Sequence, residues 1–202
     1  MKIVGIDLSL TGTGLASIVD GVPTTKAVVS KGEQADSLEQ RFNRQSMISN
    51  HILDFALGPG ELRQGAHDSE SADLVVIETL FNSATFAGSL IDRAGLWWRI
   101  VGSLLAWDIP VVHATPGQGK MFITSAGNAD KGAMAMYASK VWAQWEPTTR
   151  KNANDEADAL ALASIGLALV TPPSMWPFDE TQYRKKIIDD LRKKQDLVRE
   201  NA

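Results

Sequence analysis

Residues 2–14 read KIVGIDLSLTGTG, and this stretch decides the fold. Ile3, Val4 and Ile6 around Gly5 have the look of a strand buried on both faces, yet the run ends on a carboxylate, Asp7. A carboxylate at the end of a buried strand is costly unless something nearby compensates it. The reading of the chain therefore turns on what else it can bring to Asp7.

Working outward, residues 14–19 and 24–30 read as two further strands, separated by the turn signal Asp20-Gly21-Val22-Pro23. Three early strands with short connections suggest an antiparallel meander. From 34 to 57 the pattern turns helical, with Leu38, Phe42, Ile48, Ile52 and Phe55 near a 3.6-residue period. The polar stretch 58–73 reads as a loop. Residues 74–78, LVVIE, form a second apolar run that ends in a carboxylate, Glu78.

Helical spacing returns over 87–107, where Leu90, Ala94, Trp97, Trp98, Val101, Leu104 and Leu105 fall on one side and the Trp residues read as core. A short strand over 109–113 and a Gly- and Lys-bearing loop follow, then helices over 129–145 and 155–170. Thr171-Pro172-Pro173 stops the last of these, because proline cannot continue the hydrogen-bond ladder. From 179 onward the pattern is a polar helix with Ile187, Ile188, Leu191 and Leu197 on one stripe. The fold class expected is α/β: a five-stranded mixed sheet flanked by helices, with a C-terminal helical extension. Domain organisation follows as one domain over 1–177 and a basic helical tail over 178–202.

Composition excludes several functions. The 202 residues include no cysteine, so disulfides, thiolate nucleophiles and Cys-ligated zinc are ruled out, and any metal must be held by O or N ligands. Only Lys2 precedes Ile3-Val4, too short an apolar stretch for a signal peptide, and Arg99 and Asp108 interrupt the apolar region 94–114. The expectation is a cytoplasmic protein with no membrane span, in the host cytoplasm if phage-encoded. A net charge of −4 argues against nucleic acid at face value. The charge is unevenly spread, however: residues 181–202 hold seven basic residues against four acidic ones, and 117–151 again runs basic. Such a patchwork binds phosphate locally while the molecule stays acidic.

Four acids stand at three stations: Asp7, Glu78, and the pair Asp155 and Asp158 in NDEADALALA. Three residues apart on a helix, Asp155 and Asp158 share a face. If the first and fourth strands are sheet neighbours, their ends bring Asp7 and Glu78 together, and the late helix can pack across them. Four clustered carboxylates without thiolate or histidine suit Mg²⁺ or Mn²⁺. Two such ions roughly 4 Å apart activate water and stabilise a leaving oxygen in phosphodiester hydrolysis. Each acid alone has a plainer explanation, as a turn former or a helix cap. The combination is what points to chemistry.

GIDLSLTGTGLA, VVIETLF, ITSAGNADKGAMAMYA and DEADALALA, in this order and spacing, resemble the RuvC-type Holliday-junction resolvases of the RNase H-like superfamily, especially shorter bacteriophage relatives, over residues 1–170. The resemblance implies an RNase H-like fold and a metal-dependent endonuclease that resolves Holliday junctions and other branched DNA, acting as a homodimer in recombination and repair. It implies that Asp7, Glu78, Asp155 and Asp158 hold two Mg²⁺ ions, with Mn²⁺ able to substitute. It further implies that Phe81 meets unstacked bases at the junction centre and that Lys120 and Lys131 approach the phosphate backbone. Asn82 and Ser83, beside Phe81, are further candidate backbone contacts. This chain departs from the family pattern in placing Leu8-Ser9 after the first Asp, where bacterial enzymes usually carry Pro-Gly.

Two other classes remain open at this level. One is an ATP-handling relative of actin and the sugar kinases, whose first strand also ends in Asp before a Thr- and Gly-bearing turn; 202 residues without an internal repeat leave little room for its second half. The other is a non-catalytic junction-binding protein of the same fold, which would be expected to have lost an acid. A flap or fork nuclease differs from a resolvase only in substrate.

Overall fold

The computed structural model describes residues 1–33, 35–58, 71–80, 87–125 and 131–200. The chain begins with three strands, β1 (Lys2–Asp7), β2 (Gly12–Val19) and β3 (Val22–Val29). They pair antiparallel in sequence order, joined between β2 and β3 by a two-residue turn in which Asp20 and Gly21 both take positive φ, the geometry that suits a tight hairpin. Helix α1 (Leu38–Leu57) follows, then β4 (Leu74–Glu78), α2 (Ala87–Ala106) and β5 (Val111–Ala114). Helices α3 (Pro116–Thr124), α4 (Lys131–Val141), α5 (Ala153–Val170) and α6 (Gln182–Glu200) complete the chain.

The sheet order is β3-β2-β1-β4-β5, with β1, β4 and β5 parallel. This is the expected five-stranded mixed sheet, and it puts the two carboxylate-ended strands side by side. Period-two alternation divides the interior. Val4, Ile6, Leu15, Val75 and Ile77 face α1 and α2, burying Ile48, Ile52, Leu96, Ile100 and Leu104. Ile3, Ile18, Leu74, Val76 and Val112 face the other way, against α3 to α6.

Helix α5 is the central element of that second layer. Its alanines, Ala157, Ala159, Ala161, Ala163 and Ala168, are fully buried and keep it thin. Gly5 completes the fit: a Cβ there would run into the Ala159 carbonyl oxygen and the Ala163 nitrogen. Helix and sheet thus touch backbone to backbone, which fixes the height of α5 above the strands.

Two sequence expectations need correction. The Gly- and Lys-bearing stretch after β5 is not loop but helix α3. Thr115 Oγ1 accepts from the Gln118 amide and Gln118 Oε1 accepts from the Thr115 amide, a reciprocal cap, while Pro116 occupies the first turn. The two glycines that suggested a loop are tolerated, and Gly119 is buried against Ala161 and Leu162. Helix α2 presents a different stripe from the one expected: Trp97 is part-buried, but Trp98 is 66% exposed and Leu105 54% exposed. The expected loop at 58–73 lies, over 59–70, outside the described residues.

The start of α6 is interior. Ile187, Ile188 and Leu191 are buried in the layer beneath α5, and the buried Arg184 donates to the Phe122 carbonyl (2.9 Å) while its guanidinium stacks on the rings of Phe122 and Phe178. Arg192 donates to the Ala168 and Leu169 carbonyls at the end of α5, where a cation complements the helix dipole. Ile188→Ala is therefore expected to cost about 2–4 kcal/mol in urea unfolding. A cost below about 0.5 kcal/mol would mean that α6 is only loosely docked.

Candidate active site

The parallel register of β1 and β4 runs from Ile3 opposite Leu74 to Ile6 opposite Ile77. One residue further on, Asp7 and Glu78 stand at neighbouring strand ends. Both belong to the alternation set that faces α5, Asp7 with Ile3 and Glu78 with Leu74 and Val76. The backbone of Glu78 is held from the opposite side, where Trp97 Nε1 donates to its carbonyl oxygen (3.0 Å) and the Thr79 amide donates to Ala114 (2.8 Å).

The first turn of α5 lies across the same end of the sheet. Gly14, paired with Asp7 in register, has no room for a side chain: a Cβ would strike the Asp155 carbonyl. A Cβ on Gly12 would sit 2.7 Å from Asp155 Oδ2, so this carboxylate rests directly over the start of β2. Asp158 follows one turn along the same face. The four acids are all half-buried.

Their electrostatics show the crowding. Asp7 is held well above the ordinary carboxylate range, first by burial and then by the negative charges of Glu78, Asp158 and Asp155, with Arg93 opposing. Glu78 is pushed up to about 7 by burial and by Asp158, with Arg93 and Lys120 pulling the other way. The expected convergence of the three stations is thus present in the geometry. Lys120 reaches the same neighbourhood from α3 rather than from a loop.

Arg93 escaped the sequence reading. It sits on α2 and, with Ser9, Thr79, Leu80 and Trp97, lines a small recess beside Glu78. The available signal was a lone arginine in the early turns of a strongly apolar helix. Phe81, Asn82 and Ser83 lie outside the described residues, and Lys131 is described only as the first backbone position of α4.

The turn after Asp7 is internally closed. Thr13 Oγ1 donates to the Ser9 carbonyl (2.6 Å) and accepts from the Ser9 amide (3.2 Å), and Ser9 Oγ accepts from the amides of Thr11 (3.2 Å) and Gly12 (3.4 Å). Leu8 and Leu10 are buried on the α1 and α2 side. Two leucines thus anchor the turn, and Ser9 and Thr13 satisfy its backbone.

The donor set offered by Asp7, Glu78, Asp155 and Asp158 is carboxylate oxygen throughout, the chemistry of hard divalent cations, and the upward shifts mark carboxylates that a cation would relieve. Among the described residues no three acidic or histidine side chains stand close enough to form a finished cage. The set fits a divalent metal in chemistry, and its side chains would draw in around one.

The sheet order and the helices packed on both of its faces are those of an RNase H-like fold. No family model matches the chain. It is similar to the crossover junction endodeoxyribonuclease RuvC of Mycolicibacterium smegmatis, 28% identical over 167 residues, covering 81% of this chain and 80% of that protein. The same enzyme of Corynebacterium glutamicum is 26% identical over 163 residues, covering 81% and 67%. Among solved structures, Thermus thermophilus RuvC superposes with a TM-score of 0.51 at 22% identity, covering 80% of this chain and 92% of that one. T. thermophilus RuvC in complex with a Holliday junction substrate gives 0.54 at 20% identity, covering 81% and 90%. The resemblance to RuvC-type resolvases read from the sequence is borne out over four-fifths of the chain. These relatives are bacterial proteins, and the bacteriophage qualifier finds no support in them.

Proposed function

We propose that this protein is a metal-dependent endonuclease that resolves Holliday junctions and other branched DNA. The observation that carries the reading is the meeting of Asp7 and Glu78 on neighbouring parallel strand ends, beneath the first turn of α5 with Asp155 and Asp158. In this reading the four acids hold two Mg²⁺ ions, and Mn²⁺ substitutes. Bound there, such ions supply a water of lowered pKa and stabilise the leaving oxygen of a phosphodiester. The chain's own contribution is placement. Burial of the strand ends fixes Asp7 and Glu78, and the glycine contacts set how closely Asp155 approaches them. Lys120, close enough to influence Glu78, supplies a positive charge for a phosphate beside the acids. Phe81 and Lys131 keep their proposed roles at the junction centre and on the backbone.

Paired cuts in a two-fold symmetric junction call for a two-fold dimer. Ile91 (77% exposed), Trp98 (66%) and Leu105 (54%) recur every seven residues on α2, forming an outward apolar stripe. Phe42 on α1 (59% exposed) extends it, with Arg99 stacked 5.2 Å over its ring, and the Arg41–Asp92 ion pair (2.6 Å) ties the two helices together. We assign the homodimer contact to this face. Trp98→Glu is expected to convert a dimer into a monomer in light scattering and to replace paired cuts by slow single nicks. A variant that still cuts in pairs at the wild-type rate would remove α2 from the interface.

The ATP-handling alternative loses its main support, since the amides of Thr11 and Gly12 are turned to Ser9 Oγ instead of being presented to a phosphate. Among the described residues no helix is long and apolar enough to cross a membrane, and we place the activity in the cytoplasm. The test is incubation with an immobile four-way junction, a Y-fork and linear duplex in Mg²⁺, Mn²⁺ or EDTA. Paired nicks in the junction that require metal are expected. Equal cutting of the fork would widen the function to a branch nuclease, and a folded protein that cuts nothing would overturn the reading in favour of a non-catalytic binder.

A further inference from the structure

Glu156 is a fifth carboxylate at the site that the nuclease chemistry does not use. It is fully buried, 0% exposed, between Asp155 and Asp158 in sequence, yet it points away from them. Adjacent helix positions diverge by about 100°, so while the Asp155 carboxylate overlies the start of β2, Glu156 is directed into the layer between β3 and the segment ahead of α5. There its Oε2 accepts from Thr25 Oγ1 of β3 (2.7 Å) and from the Thr148 amide (2.9 Å), and its Oε1 accepts from Thr148 Oγ1. Thr25 Oγ1 in turn accepts from Trp145 Nε1 (2.9 Å), and Trp145 is itself 3% exposed.

A buried side chain with this many donors aimed at it is a built feature. Helix α5 lacks the ordinary device for fixing its start, since Asn152 makes no side-chain cap bond. The start is also where fixing is most needed. Asp155 packs directly on Gly12 and Gly14 at the start of β2, and with Asp158 it brings negative charge to Asp7, so the placement of this turn sets the spacing of the acids. Glycine contacts at Gly12 and Gly14 limit how close the turn can come, but they do not hold it down. The bonds from Glu156 do: they tie the turn to β3, whose Thr25 is in register with Ala16 of β2, which in turn is in register with Gly5 of β1.

We propose that Glu156 is a positioning residue for the metal site, anchoring the first turn of α5 through Thr25 and Thr148 so that Asp155 and Asp158 stay in reach of Asp7 and Glu78. The proposal rests on the nuclease reading above. Loosening the anchor lets the two aspartates recede, and divalent metal binds more weakly to a protein that is still folded.

The test is calorimetric titration of Mn²⁺ into the metal-free full chain, well below its unfolding temperature, for wild type, Asp155→Asn, Glu156→Gln, Thr25→Val and Thr25→Ser. Glu156→Gln is expected to weaken Mn²⁺ binding about tenfold or more, the usual size of an outer-shell effect, and to recover most of its cutting rate at saturating metal. Thr25→Val is expected to follow it in the same direction, while Thr25→Ser, which keeps the hydroxyl, stays near wild type. A folded Glu156→Gln with wild-type Mn²⁺ affinity, alongside a weakened Asp155→Asn, overturns the positioning role and leaves the nuclease reading intact. If Glu156→Gln does not fold, equal affinities for Thr25→Val and Thr25→Ser overturn the role. A wild-type protein that binds no Mn²⁺ overturns both.

Discussion

Asp7→Asn is expected to abolish cutting and, in EDTA, to make the protein more stable. In the proposed reading the loss of cutting should be about a thousandfold or more, equivalent to about 4 kcal/mol of barrier, because Asp7 feels all three of the other acids and the proposed metal site depends on its charge. The gain in stability follows from the sign of the shifts. A carboxyl raised in the folded state, as Asp7 and Glu78 both are, is harder to ionise there than in the unfolded chain. For Glu78 the penalty is absent below its ordinary value of 4.5, builds as pH rises toward about 7, and is fully present above that. Its size is on the order of 3 kcal/mol. Asn at position 7 removes a buried carboxyl that is harder to ionise in the fold and one source of repulsion on Glu78, so where Glu78 is ionised, above about pH 7, the unfolding temperature should rise by about 3–6 °C. Added Mg²⁺ should stabilise wild type strongly and the variant weakly. Calorimetric scans across pH 4 to 8 in EDTA and in Mg²⁺ check both parts. A variant that melts lower than wild type above pH 7 in EDTA would mean that Asp7 has a local partner worth more than its repulsion.

Gly14→Ala is the second large effect. The added Cβ would lie 2.5 Å from the Asp155 carbonyl carbon and 3.2 Å from the Glu156 nitrogen, closer still to the carbonyl oxygen. Both sides of the clash are backbone, so no rotamer relieves it, and α5 must lift or β2 must bend. A stability loss of about 2–4 kcal/mol is expected, together with a fall in cutting beyond what unfolding explains, since the displaced turn carries Asp155. Gly102→Ala is the control. Its Cβ meets nothing within 4 Å on an exposed helical face, so a gain of up to about 1 kcal/mol is expected. Denaturant curves for the pair, with cutting rates under folded conditions, decide the matter. Gly14→Ala at wild-type stability and rate would show that the close approach of α5 to β2 is not needed.

How much of this was legible in the sequence depends on the kind of signal. Asp7 and Glu78 each end an unbroken apolar run, and their adjacency needed only that β1 and β4 pair, which the topology of one short meander followed by a crossover favours. Asp155 and Asp158 were visible from their spacing. Helix α3 was not, because Gly117 and Gly119 outweigh the Thr115 to Gln118 cap in any average over residues, and the packing of Gly119 on α5 is a tertiary fact. Trp98 was read as core, and the exposure of Leu105 was not legible, because an apolar stripe shows its period and not what covers it. Glu156 was passed over beside two more informative acids: nothing local says that it turns inward, and its partners Thr25 and Thr148 lie 131 and 8 residues away.

The most direct measurement is anomalous diffraction from crystals of the full chain soaked in Mn²⁺. The account predicts anomalous density among Asp7, Glu78, Asp155 and Asp158, and its loss in Asp7→Asn. Mn²⁺ density elsewhere and none among these four carboxylates, in crystals of protein that cuts a junction, would contradict it.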